Sequence, residues 1–78
     1  MAIRRDARFT AGPYAGQYLV AEDDTAGSII ALVCHGEPGK LEVTADFWFE
    51  NVEDLEAGMA EDGWAVEWLE PGSLGRPS

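Results

Sequence analysis

Residues 41–50 read LEVTADFWFE, and this stretch determines the expected fold. Apolar residues occupy its odd-numbered positions, while polar residues and Trp48 occupy its even-numbered positions. This period of two predicts a β-strand that has one face in the core and the other in solvent. The predicted core face comprises Leu41, Val43, Ala45, Phe47 and Phe49.

A short helix is predicted directly after this strand, over about 52–61. Asn51 suits the N-cap position, where its side chain can accept a hydrogen bond from a first-turn N–H. Glu53 and Asp54 place negative charge where the helix dipole favours it. The predicted buried stripe comprises Val52, Leu55 and Met59. Gly63 suits the C′ position that ends the helix.

Alternating or apolar runs predict further strands before and after this unit. Residues 3–10 permit a short edge strand, and 17–22 a strand that follows a Gly-Pro turn. Residues 28–35 are apolar on both faces, which is typical of a central, covered strand. Residues 64–69 form the last predicted strand. We expect it to run roughly parallel to the 41–50 strand, or to another strand of the same sense.

These elements together predict an α+β fold: an antiparallel β-meander of four to five strands, with one short helix packed on one face. The chain has 78 residues, enough for one small domain over 1–70. Residues 71–78, PGSLGRPS, have the composition of a flexible C-terminal tail.

The charge is strongly acidic and unevenly distributed. Fifteen acids face five bases, which gives a formal net charge of −10, and 41–70 contains no Lys or Arg. Such a field repels nucleic acids and anionic membranes, whereas it attracts basic proteins. We therefore expect no direct nucleic-acid binding and no membrane association. The single cysteine and the absence of a secretion signal near the first residues favour a cytoplasmic location.

Catalytic and metal-binding motifs are not evident. Cys34 and His35 are neighbours in a strand, so their side chains point to opposite faces and the imidazole cannot easily activate the thiol. The acidic run at 22–24 lacks the ligand spacing of a calcium loop. We expect a protein without enzymatic activity, catalytic residues, cofactor or metal.

The candidate binding surface is the polar face of the 41–50 strand. Its carboxylates, Glu42, Asp46 and Glu50, recur every four residues, about 13 Å apart at strand rise, and Trp48 shares their face. Trp48 is either an exposed contact anchor or part of a second small core under the helix or the last strand. The predicted partner-binding set is Glu42, Asp46, Trp48, Glu50, Glu53, Asp54 and Glu56. The alternative is that the acids of the helix form only a solvated face.

The small size, the acidity over 22–70 and the α+β layout resemble the small phage-encoded inhibitors of bacterial defence, the anti-CRISPR and anti-restriction proteins. Many of these are DNA mimics that present carboxylates in place of phosphates. The resemblance implies that the chain occupies the basic channel of an RNA-guided surveillance complex or a restriction enzyme, so that target DNA cannot enter. The partner would be a basic protein or ribonucleoprotein complex.

Two other functions fit the same charge pattern. One is an immunity protein that neutralises a basic toxin, such as a nuclease. The other is an accessory subunit whose exposed edge strand pairs with another chain. The expected oligomeric state is a monomer or a homodimer, and the sequence does not distinguish between these.

Overall fold

The computed structural model describes residues 4–23 and 27–75, and it shows an α+β fold with one five-stranded antiparallel sheet and one short helix. The strands are β1 (Arg4–Ala11), β2 (Tyr18–Asp23), β3 (Ile29–His35), β4 (Glu42–Phe49) and β5 (Ala65–Leu69), and the helix is α1 (Val52–Glu61). Parts of the predicted first strand, of the predicted turn and of the predicted tail lie outside the described residues. They are Ile3, Asp24 to Ala26 and Arg76 to Ser78.

The strand order is β4-β3-β2-β1-β5. The meander β1 to β4 is confirmed, and β5 runs in the same sense as β4, as predicted. However, β5 pairs antiparallel with β1 at the opposite edge of the sheet. The first strand is therefore not at an edge, and the strand at the centre is β2. The run of apolar residues in β3 predicted its interior location but not its exact place.

One face of the sheet carries the main core under the helix, and we call it the helix face. Leu55 and Met59 of α1 are buried there with strand residues from β1, β2 and β3. Phe9, Tyr14, Phe47 and Trp64 form a cluster of aromatic rings, with centroids 5.0 to 6.3 Å apart. Such tilted and edge-on contacts stabilise a core beyond the area that they bury.

The helix begins and ends as the sequence predicts. The Asn51 side chain accepts a hydrogen bond from the N–H of Asp54 at 2.9 Å, which satisfies one of the free donors of the first turn. Gly63 has a φ of 70°, and the next N–H, that of Trp64, donates to the carbonyl of Met59 at 2.8 Å. This backbone reversal, which favours glycine, returns the chain to the sheet.

A bulge interrupts β4, and it corrects the predicted alternation. Ala45 pairs with Val33, but Val43 pairs with the next β3 residue, Cys34, so the register shifts by one residue at Thr44. The Thr44 hydroxyl donates to the carbonyl of Val33 at 3.2 Å. Because a one-residue shift exchanges the two faces of a strand, Val43 lies on the face opposite to Ala45.

The opposite side of the sheet, which we call the second face, carries a smaller core. Val20, Cys34, Leu41 and Leu74 are buried together there. Leu41 is thus in the core, as predicted, but not in the core under the helix. The bulge at Thr44 makes this possible, because the residues before it point to the opposite faces from those that an unbroken alternation would give.

Residues 71–75 fold over the second face, and we call this segment the clasp. Leu74 is buried in the second core, and its carbonyl accepts a hydrogen bond from the N–H of Gly39 at 3.0 Å. The clasp therefore differs from the flexible tail expected for 71–78. The buried side chain of Leu74 and the hydrogen bond between the backbones of Gly39 and Leu74 hold the segment in place.

Asp6 anchors the clasp. Its carboxylate is fully buried, accepts the N–H of Leu74 at 3.0 Å and pairs with Arg4 at 2.8 Å. The Arg4 guanidinium also donates to the carbonyl of Gly75. The pair thus joins the first strand to the end of the described chain.

Burial on its own would raise the pKa of Asp6, but the hydrogen bonds to its carboxylate and the charge of Arg4 outweigh burial and lower this pKa from its ordinary value. The hydrogen-bond donors are Arg4, Leu74 and Gly72. A buried carboxylate satisfied in this way remains ionised at neutral pH.

Within residues 4–23 and 27–75, no helix has the length and apolar character needed to cross a membrane.

Replacing Gly12 by alanine should destabilise the fold more than the same change at Gly16. Both residues have positive φ, 92° and 86°, so both variants incur a backbone cost of about 1–2 kcal/mol. A Cβ at Gly12 would also lie 2.5 Å from the carbonyl oxygen of Gly63, whereas a Cβ at Gly16 meets nothing within 4 Å. Urea unfolding of both variants measures the difference. Equal losses would show that this contact does not constrain the fold.

Asp6→Asn should lower the free energy of unfolding at pH 7 by about 1.5–3 kcal/mol, the contribution of hydrogen bonds to a charged group. Because the pKa of Asp6 is lowered in the folded state, this stabilisation depends on pH. It is fully present above the unfolded-state value, about 3.9, and is lost as pH falls through the lower folded value.

The difference between wild type and Asp6→Asn should therefore be constant from about pH 5 to 7 and shrink below about pH 4. Urea unfolding at several pH values measures it. Glu67→Gln is the control, because Glu67 and Arg8 form an exposed pair at 3.1 Å that should contribute less than about 1 kcal/mol. A difference that stays the same down to pH 3 would contradict the assigned role of Asp6.

Candidate partner-binding site

Trp48 is the most exposed large apolar side chain in the described part of the protein, at 62%. It lies on the second face, opposite to the helix, because it pairs with Ile30 while Phe47 and Phe49 pack on the other side. Trp64 is buried in the main core. Trp68 lies in β5, at the far edge of the sheet. Of the two alternatives for Trp48, the structure thus shows the exposed one.

The side chains beside Trp48 define the candidate site, which we call the Trp48 surface: Ile30, Asp46 and Trp48. Ile30 is directly opposite Trp48 in β3 and is 38% exposed. Asp46 precedes Trp48 by two residues on the same strand, so it shares the same face. Glu22 adjoins this surface because it pairs with Ile30 from β2. An exposed apolar pair is thus bordered by carboxylates.

The clasp determines where the second face is open. Leu74 and Leu41 cover the part of the sheet around Val20 and Cys34. Towards the other ends of β3 and β4, Ile30 and Trp48 remain exposed. The Trp48 surface is therefore a part of the second face that the described chain leaves uncovered, and Val43, near the bulge, is also 37% exposed on that face.

The predicted set of binding residues is not brought together on one surface. Asp46 and Trp48 share the second face, and Glu50 follows β4 at its end. Glu42 pairs with His35 beyond the bulge, so it does not continue the row of Asp46 and Trp48. We expected three carboxylates along one face, about 13 Å apart. This prediction is wrong for Glu42, because the extra residue at the bulge, Thr44, places Glu42 on the other face.

The helix acids lie apart from the Trp48 surface. Glu53, Asp54 and Glu56 are exposed residues of α1, and α1 packs on the helix face, so the sheet separates its body from the Trp48 surface. Glu56 pairs with Arg5 of β1 at 3.9 Å. Glu53 and Asp54 lie in the first turn, close in sequence to Glu50. The acids of the predicted set thus divide between two sides of the molecule.

The basic residues at the start of the chain have acidic partners within it. Arg4 pairs with Asp6 and Glu22, Arg5 with Glu56, and Arg8 with Glu67. In the stretches 4–23 and 27–75, no ion pair involves Asp46 or Glu50. The charges of Asp46 and Glu50 are consequently not paired with a base of the described chain, whereas the charge of Glu22 is paired with Arg4.

Cys34 and His35 do not form a catalytic pair. The thiol of Cys34 is fully buried, whereas His35 is exposed. Burial raises the pKa of Cys34, which disfavours the nucleophilic thiolate. Among the described residues, no group of three or more His, Cys, Asp or Glu side chains could hold a metal ion.

Sequence reasoning missed Ile30 as a member of the site. Its run of apolar neighbours in β3 indicated a covered strand, and no pattern in that run distinguishes Ile30 from the buried residues around it. Only the pairing of Ile30 with Trp48 at an uncovered part of the sheet reveals it.

Comparisons with known proteins show no matching protein family, curated protein or solved structure for this chain.

Trp48→Ala should lower the free energy of unfolding by less than about 1 kcal/mol, because an exposed side chain loses little packing. Trp64→Ala, which empties a site in the main core, should cost about 3–5 kcal/mol. Chemical denaturation of the two variants provides a matched comparison. A loss at Trp48 as large as that at Trp64 would mean that Trp48 supports the core.

Proposed function

We propose that this protein is a non-enzymatic inhibitor that binds a basic protein or ribonucleoprotein complex of bacterial defence and occupies its nucleic-acid-binding site. The observation that carries the proposal is the exposed Trp48 and Ile30 pair bordered by Asp46 on an uncovered sheet face. Target DNA would then be excluded from the complex, as in the anti-CRISPR and anti-restriction proteins that the chain resembles.

The charge supports a basic partner. A formal net charge of −10 disfavours the approach of DNA or RNA and accelerates the association of a positively charged protein at low salt. Arg4, Arg5 and Arg8 pair with other acids of the chain, so none of them neutralises Asp46 beside Trp48. Proteins that bind nucleic acid carry clusters of Lys and Arg at the binding site, which would provide such a positively charged surface.

The exposed aromatic residue supports protein binding rather than mere solubility. Tryptophan is enriched among the residues that contribute most to protein interfaces, where it is surrounded by contacts that exclude water. A soluble surface needs the carboxylates but does not need an exposed Trp48 beside Ile30. The combination favours a specific contact in which charge guides association and Trp48 anchors the complex.

The dimensions of the protein fit this role. Its principal extents are 29 × 26 × 20 Å, so its longest dimension is a little less than one helical turn of DNA, about 34 Å. A body of this size can block a channel that accepts a short stretch of nucleic acid.

Mobility-shift assays test the proposal directly. Purified RNA-guided surveillance complexes and restriction enzymes are mixed with the protein and then with labelled target DNA. We expect DNA binding to be lost for at least one member of the panel, and Trp48→Ala to raise the concentration required by about tenfold, equivalent to a loss of about 1.4 kcal/mol. Trp68→Ala is the matched control, because Trp68 is a half-exposed tryptophan in β5 at the opposite edge of the sheet.

Unchanged DNA binding across the panel would contradict the proposal. Inhibition of a purified toxin nuclease, with no effect on any defence complex, would instead assign the protein to the immunity proteins. Equal inhibition by wild type and Trp48→Ala would retain the function but move its site away from Trp48.

A further inference from the structure

The fold already holds one arginine between an indole ring and a carboxylate. The Arg5 guanidinium carbon lies 5.8 Å from the centroid of the Trp68 ring, and its Nη1 is 3.9 Å from a carboxylate oxygen of Glu56. All three groups are at least partly exposed. A guanidinium is attracted both by the face of the ring and by the neighbouring negative charge.

The Trp48 surface contains the same two kinds of group. The Trp48 ring is more exposed than that of Trp68, at 62% against 46%. Asp46 lies on the same face of the same strand, and Glu50 lies two residues beyond Trp48. In the part of the chain that the structure describes, the only cation paired with a tryptophan ring is Arg5, on Trp68.

We infer that Trp48 and Asp46 form a receptor for an arginine side chain presented by the basic partner. This inference rests on the proposed function, because it specifies what the binding face recognises. The guanidinium would stack on the Trp48 ring while its N–H groups donate to the Asp46 carboxylate. Ile30, directly opposite Trp48, would contact the apolar stem of the same arginine.

Arginine fits this surface better than lysine. Its guanidinium is planar, weakly hydrated and able to donate two parallel hydrogen bonds to one carboxylate, whereas the lysine ammonium is compact and strongly hydrated. A general attraction to the negative charge of the protein would not discriminate between the two cations. Preference for arginine is consequently the property that separates a receptor at Trp48 from electrostatic attraction alone.

The test uses two peptides of equal length and charge, one of alternating arginine and glycine and one of alternating lysine and glycine. Each is titrated at low salt into ¹⁵N-labelled full-length protein, and NMR spectra follow the backbone amides and the indole Nε1–H groups. Loss of one indole signal in Trp48→Ala assigns the Trp48 resonance. We expect the arginine peptide to shift this signal and the amides of Ile30 and Asp46, and to bind about twofold to fivefold more tightly than the lysine peptide.

Variants on the two sides of the molecule supply the controls. Trp48→Ala should weaken binding of the arginine peptide by about twofold to fivefold and abolish the preference for arginine, and Asp46→Asn should weaken it in the same direction. Trp68→Ala should leave both peptides unaffected. Equal binding of the two peptides, or shifts confined to the acids of α1, would overturn the inference.

The outcomes separate this inference from the proposed function. If DNA displacement succeeds in the mobility-shift assay but the peptides show no arginine preference, the protein is an inhibitor that uses another contact. If the preference is found but no defence complex is inhibited, the receptor stands and the proposed function fails.

Discussion

The buried carboxylate of Asp6 determines how the second face of the sheet is divided. Asp6 lies in β1, and its carboxylate accepts a hydrogen bond from the N–H of Leu74, which is 68 positions later in the chain. This bond and the Arg4 pair hold the clasp over Val20 and Cys34. Residues 4–23 and 27–75 contain one helix to cover the five-stranded sheet, and this helix covers the other face. The part of the second face beyond the clasp, at Ile30 and Trp48, is left exposed.

The contacts that hold the fold together also determine which charges of the protein are paired. The arginines near the start of the chain are engaged within the fold: Arg4 at the clasp, Arg5 against Trp68 and Glu56, and Arg8 with Glu67. None of them pairs with Asp46, the carboxylate that shares the face of Trp48, although Arg4 also pairs with the adjoining Glu22. The result is a sheet face on which the exposed Trp48 ring lies beside a carboxylate, that of Asp46, that is unpaired within the described chain. We regard this face, rather than the net charge as a whole, as the basis of the proposed binding.

Much of the fold follows from local patterns in the sequence. The alternation over 45–49 and the caps at Asn51 and Gly63 correctly predicted β4 and α1. The bulge at Thr44 could not be predicted, because both faces of the sheet carry an apolar core at this end, and Leu41 is equally suited to either. The lone leucine at position 74, within a segment rich in glycine and proline, was the only signal that the predicted tail has a buried contact.

The candidate site was only partly predictable for a related reason. The carboxylates and Trp48 were recognisable from their alternation, but whether Trp48 is exposed depended on which edge β5 joins and which face the clasp covers. Both depend on contacts between distant residues. Hydrogen exchange of the protein, free and bound to a complex from which it displaces DNA, is the most direct test of the proposed binding face. We predict that exchange slows in β3 and β4 around Ile30 and Trp48 and is unchanged in α1; protection confined to α1 would contradict the account.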